Sequence, residues 1–152
     1  MPPIKLISAL AIATALAACS PGSGPQLSPG LTAPMNQPGA QLNRVDALFL
    51  LNDYRAQNGA GQVRGDTLLD SSAQSLAAAY AKTGAQPKLP NGAVAMRLSA
   101  GYATFAETFS GWRNTPADAA ALADPRAKRA GLGVSYDPNS SYGVYWVLVL
   151  DD

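Results

Sequence analysis

The sequence predicts an α/β (α+β) fold, an α-β-α sandwich whose small antiparallel sheet ends in a C-terminal hairpin. Three observations predict it. Residues 130–136 and 142–150 are strand-like runs on either side of Asp137-Pro138-Asn139-Ser140-Ser141, a segment with the residues of a hairpin loop. In the last run Val144, Trp146, Leu148 and Leu150 share one face and Tyr145, Val147 and Val149 the other, so both faces are apolar and each needs a covering layer. The segments before it carry helical rather than alternating spacing, and helices supply those layers.

In chain order, Val45, Leu48 and Leu51, with Phe49 and Leu50 beside them, recur at helical spacing before Asn58-Gly59, a stop signal. A second helix is expected from about Asp70 to Thr83, with Leu69, Ala73, Leu76, Ala77 and Tyr80 on one stripe and Gly84 just past its end. Its small side chains predict close packing against a neighbour. Residues 84–92, GAQPKLPNG, read as a loop, and a short helical piece over 93–99 is expected to end at Gly101. Thr104 then caps a helix whose Phe105, Phe109 and Trp112 stand at i, i+4 and i+7, with Glu107 completing a capping box. That spacing assigns the three aromatics to the core. After Pro116 an Ala-rich turn or helix leads to Asp124-Pro125.

Upstream of the domain, residues 1–18, MPPIKLISALAIATALAA, join one cation, Lys5, to an apolar or small run from Leu6 to Ala18, the anatomy of a signal peptide. The run is shorter than the roughly 20 apolar residues a spanning helix needs. Leu16-Ala17-Ala18-Cys19 is similar to the lipobox of bacterial lipoproteins, so Cys19 is the expected lipid attachment site. Two or more acyl chains there give stable anchoring. Ser20, in place of Asp, resembles the sorting pattern for the outer membrane, which implies an envelope protein facing the periplasm. Residues 19–40, rich in Pro and Gly, are expected to form a tether, and residues 41–152 the domain.

Composition removes whole classes of chemistry. The chain has no His and a single Cys, which excludes Ser-His and Cys-His pairs, His-based zinc sites and disulfide frameworks. Eleven Lys and Arg oppose ten Asp and Glu, and loss of Lys5 with the leader leaves ten against ten. No basic field remains for nucleic acid. Arg126, Lys128 and Arg129 read as a solvated turn, and Asp66 and Asp70 as carboxylates suited to a helix N-terminus. Counting alone leaves open a Ser-Lys arrangement of Ser71, Ser72 or Ser75 with Lys82 or Lys88, but no local signature supports it. No spacing selects a carboxylate pair around Glu107, the only glutamate.

Leu51-Asn52-Asp53-Tyr54-Arg55 followed by Gly59, Gly111-Trp112-Arg113-Asn114-Thr115-Pro116, Gly131-Leu132-Gly133-Val134 and Tyr145-Trp146 stand in this order. The set resembles the bacterial type of the CAP superfamily, the SCP-like group related to cysteine-rich secretory, antigen 5 and pathogenesis-related proteins. Resemblance extends over residues 42–150. It implies the sandwich fold and a polar cleft, but the cleft residues depart from the family's pattern. Asp118 stands where the family has a His after the Gly-Trp-x-x-Ser-Pro segment, and Met96 and Arg97 stand where it has Glu and Asn. The family's polar tetrad is lost, and with it the inference of a metal or other cofactor; a shared fold does not confer a shared activity. Met96, Arg97 and Asp118 are therefore expected to line a remnant cleft. Three readings follow, in order: a non-catalytic module binding a lipid, a glycan or an envelope protein; a structural or interaction lipoprotein with an occluded cleft; and a hydrolase built on Asp118 with Ser or Lys residues.

Overall fold

The computed structural model describes residues 26–152. Its elements are α1 (Pro29–Thr32), α2 (Arg44–Gln57), β1 (Arg64–Gly65), α3 (Thr67–Thr83), β2 (Ala95–Ala100), α4 (Phe105–Asn114), α5 (Pro116–Leu122), β3 (Arg129–Tyr136) and β4 (Val144–Asp151). The sheet order is β1-β3-β4-β2. The expected hairpin is β3–β4, paired antiparallel from Arg129↔Asp151 to Tyr136↔Val144. Strand β1 pairs with β3 in parallel through two residues, so the sheet is mixed rather than purely antiparallel.

Strand β4 is buried on both faces as its pattern requires. Val144, Trp146, Leu148 and Leu150 enter the larger core with Leu51, Phe105, Phe109, Trp112 and Leu122, while Val147 and Val149 pack beneath Ala73 and Ala77 of α3. Helix α3 begins where the Asp66 carboxylate accepts hydrogen bonds from the N–H groups of Leu68 and Leu69, and it ends at Gly84 with φ 68°. Its backbone lies directly on β3. A Cβ added at Gly131 would overlap the Leu69 carbonyl, and one added at Gly133 would overlap the Ala73 carbonyl and the Gln74 nitrogen. The Gly-x-Gly of this strand is therefore a requirement of distance, met from the other side by Ala73 and Ala77.

Because β1 is so short, most of the outer edge of β3 has no strand beside it. Side chains complete it instead. The Leu132 N–H donates to Asp70 Oδ1 at 2.8 Å and the Leu132 carbonyl accepts from Arg44 Nε at 3.0 Å. Gln74 serves Val134 twice, donating through Nε2 at 2.7 Å and accepting at Oε1 at 3.3 Å. An open row of strand donors and acceptors invites pairing with another chain, and here helix side chains blunt it.

Three expectations are corrected. Residues 95–100 are a strand, not the expected short helix over 93–99, because β4 needs a partner on its second edge and β2 supplies one from Ala95↔Leu150 to Ala100↔Tyr145. The expected tether, residues 19–40, is corrected over 26–40, where Leu31, Met35 and the following Leu42 are buried in the larger core and the Met35 N–H donates to the Ala103 carbonyl at 2.7 Å, while its first residues, Cys19 and the expected signal peptide lie outside the described residues. Of the Val45, Leu48 and Leu51 stripe, Leu51 is buried and Leu48 packs partly on the core, but the buried face of α2 runs through Ala47, Leu51 and Arg55, leaving Val45 77% and Phe49 73% exposed.

Gly133→Ala is expected to lower stability by about 1–3 kcal/mol through overpacking against α3. Gly61→Ala, at a position with open space around it, should stay within about 0.5 kcal/mol. Urea unfolding of both variants measures the difference.

Candidate functional site

The layer opposite α3 is assembled around two polar side chains of α2. Asn52 pairs with the backbone of Val63 in both directions, donating from Nδ2 at 3.0 Å and accepting at Oδ1 at 2.8 Å. Arg55, three residues on and 0% exposed, reaches carbonyls from two separate loops. Its Nε donates to Gly61 at 2.7 Å, Nη1 to Leu122 at 2.7 Å, and Nη2 to Asp124 at 3.1 Å and Ala127 at 3.3 Å. Burial pulls the Arg55 pKa below its ordinary value, and the Asp124 charge opposes that pull. Asp124 is itself held below the usual carboxylate range, chiefly by its hydrogen bond from Arg126. Arg126 thus closes a turn, as the sequence suggested. Asn52 fastens α2 to Val63, ahead of β1, and Arg55 fastens it to Gly61 and to the end of α5 and the chain that follows.

Helices α4 and α5 then frame the region named by the sequence. Thr104 and Glu107 form the expected capping box, and Phe105, Phe109 and Trp112 are buried as expected. The Phe105 ring lies 5.9 Å from Trp146 and 5.8 Å from Phe109, while Tyr54 meets Phe109 edge-on at 5.7 Å. Trp112 Nε1 donates to the Leu98 carbonyl at 2.9 Å, fixing α4 against β2. Pro116 opens α5, placing Asp118 in its first turn, where a carboxylate suits the helix N-terminus.

That geometry brings together two of the three expected cleft residues. Arg97 Nη1 donates to Asp118 Oδ1 at 2.6 Å, with each side chain about one-quarter exposed. Met96 points the other way. It is partly buried against the cluster of Ala73, Ala77, Val147 and Val149, because neighbouring residues of a strand alternate between faces. Met96 therefore does not share a site with Arg97 and Asp118, which corrects the expected trio. The guanidinium, one of whose nitrogens lies within hydrogen-bond distance of the only carboxylate of the trio, repels any cation, so this donor set does not fit the metal its family position would imply. Arg97 Nε is buried and has no hydrogen-bond partner among the described residues.

Other candidate chemistry disperses. Ser71 and Ser75 donate to the Thr67 and Ser71 carbonyls one turn back, each at 2.9 Å. Asp66 caps α3 and accepts from Arg129 Nη1 at 3.4 Å, and the Leu69 amide leads the causes that hold its pKa below the ordinary carboxylate value. Sequence reasoning missed Arg44 and Gln74, whose partners are backbone atoms of a strand more than 50 residues away. Their signal, polar residues beside the apolar stripes, is shared by every solvated helix face.

Residues 48–150 match the model of the cysteine-rich secretory protein family, CAP. The chain belongs to this family. Solved structures with the same fold include MpPR-1i, at TM-score 0.60 and 18% identity over 71% of this chain and 89% of that one. An extracellular Bacillus anthracis protein containing an SCP domain matches at TM-score 0.58 and 14% identity, over 71% of this chain and 40% of that one. An outer surface protein of Borrelia burgdorferi matches at TM-score 0.54 and 16% identity, over 68% of this chain and 88% of that one. No curated protein sequence matches significantly. Within the CAP domain, Asn52 and Arg55 are thus explained by the scaffold they hold.

Arg55→Met is expected to cost at least about 3 kcal/mol in urea unfolding, since it abandons charge-assisted hydrogen bonds to four buried or part-buried carbonyls. Arg55→Lys should recover little of it, because a compact ammonium cannot span that fork of acceptors.

Proposed function

We propose that this CAP protein is an envelope lipoprotein, lipidated at Cys19, whose domain is a non-catalytic interaction module. The observation that carries the non-catalytic reading is the Arg97–Asp118 pair. It pairs the carboxylate that the sequence offered for chemistry with a cation, which favours the interaction reading over a hydrolase. A general base must lie within hydrogen-bond reach of a substrate proton, and Asp118 Oδ1 is occupied by Arg97 Nη1 instead. The extracellular and outer-surface descriptions of the Bacillus and Borrelia proteins support an envelope location. No helix of the described residues is long and apolar enough to cross a membrane. Ser20 directs the lipoprotein to the outer membrane, on its periplasmic side.

A second reading, a binding site for a lipid, a glycan or an envelope protein at the same place, has one observation in its favour. The buried, unpartnered Arg97 Nε–H would donate to a ligand oxygen.

Expression of the full chain in a bacterial host tests the anchoring. The mature N-terminal peptide is expected to begin at Cys19 and carry the mass of a diacylglyceryl group and an amide-linked acyl chain. Cys19→Ser should accumulate uncleaved precursor and abolish that lipid mass. A mature chain cleaved elsewhere and free of lipid would overturn the reading.

A further inference from the structure

We propose that the CAP domain docks on the lipid surface to which it is tethered, through the outer face of α2. Val45 and Phe49 stand one turn apart on that face at 77% and 73% exposure, and Leu27, 52% exposed, lies beside them. Two shallow apolar grooves flank the ridge. One, of about 380 Å³, runs between Leu27, Leu31, Phe49 and Leu50, with Asp46 and Asp53 also lining it, and the other, of about 240 Å³, between Val45, Leu48 and Thr67, with Arg44 and Asp70 also lining it. Scattered exposed apolar residues are ordinary, but a contiguous strip on one helix is the form an interaction surface takes.

The chain itself indicates which surface covers it. Leu27 belongs to the strip, so the polypeptide joins the folded domain at this face. Cys19 is only seven peptide steps before Gln26, which limits the separation of lipid and domain to about 25 Å at full extension. That is close to the length of α2 itself, about 21 Å for its 14 residues. A face held this near the bilayer meets it at high effective concentration, and any contact adds to that of the acyl chains. Asp53, exposed one turn beyond Phe49, bounds the strip. Arg113 and Glu107 stand together at the Leu27–Leu50 side and offset each other in charge. Contact is therefore shallow and apolar, at the level of the headgroups and upper acyl chains.

The docking rests on lipidation at Cys19, and one experiment separates the two. Lipidation consumes the chain's single thiol, so Val45→Cys, Phe49→Cys and the control Ala78→Cys each introduce a unique one. Ala78 is exposed on α3, across the sheet from α2. Each full-length protein is expressed with its lipid, checked by N-terminal peptide mass, spin-labelled and reconstituted in phosphatidylethanolamine and phosphatidylglycerol vesicles. Labels at 45 and 49 are expected to collide several-fold more with oxygen and several-fold less with a water-soluble nickel chelate than the label at 78. Equal, water-like accessibility at all three positions on a lipidated chain overturns the docking and leaves the anchor intact. Dipolar broadening between labels on separate chains would assign the face to a second copy, which also overturns it. Absence of lipid mass overturns both readings together.

Discussion

The rest of the structure depends on how closely α3 approaches the sheet. Gly131 and Gly133 present no side chain to it, and the helix backbone at Leu69 and Ala73 occupies the space their Cβ atoms would fill. From that approach other features follow. Asp70 and Gln74 come within reach of the free edge of β3 and complete its hydrogen bonding. Val147, Val149 and Met96 find a cover, and β4 can be apolar on both faces. A helix held at ordinary distance by alanines at these two positions would leave the edge of β3 open.

The opposite layer is held differently. There, helices meet the sheet through large aromatics, and the join between α2 and the chain from the end of α5 is polar, made by Arg55 to three carbonyls, with a fourth at Gly61. Asn52 and Arg55, which carry part of the family resemblance in the opening helix, both bind backbone groups of other segments. Elsewhere in that layer, Arg97 of β2 and Asp118 of α5 pair through Nη1 and Oδ1, and Arg97 Nε is left without a partner among the described residues. The scaffold contacts of α2 and the Arg97–Asp118 pair are therefore separate features of the fold.

Much of this was legible in the sequence where the physics is local. The alternation of residues 144–150, the Thr104–Glu107 capping box, the Gly84 stop and the Phe105–Phe109–Trp112 stripe depend on neighbours in the chain, and each is found. The failures share a different cause. Ala95–Ala100 has little strand pattern of its own, and its conformation is imposed by the second edge of β4, 50 residues away. The Pro- and Gly-rich residues 26–40 carry only three widely spaced core side chains, Leu31, Met35 and, just beyond, Leu42, which composition hides. In α2 the run Leu48-Phe49-Leu50-Leu51 is apolar all round, so periodicity could not choose the inner face; the fixed point was the polar Arg55. For the site, the sequence identified Arg97 and Asp118 as neighbours of a cleft, but the opposite orientation of Met96 follows from the strand that was missed.

The most direct measurement of whether the cleft is closed is a crystal structure of the mature protein purified from its native envelope, read at Arg97 and Asp118. The closed-cleft account predicts an intact pair close to 2.6 Å, with only solvent at Arg97 Nε. Density for a bound lipid or glycan that hydrogen-bonds Arg97 and parts it from Asp118 would contradict it and establish a ligand site in its place.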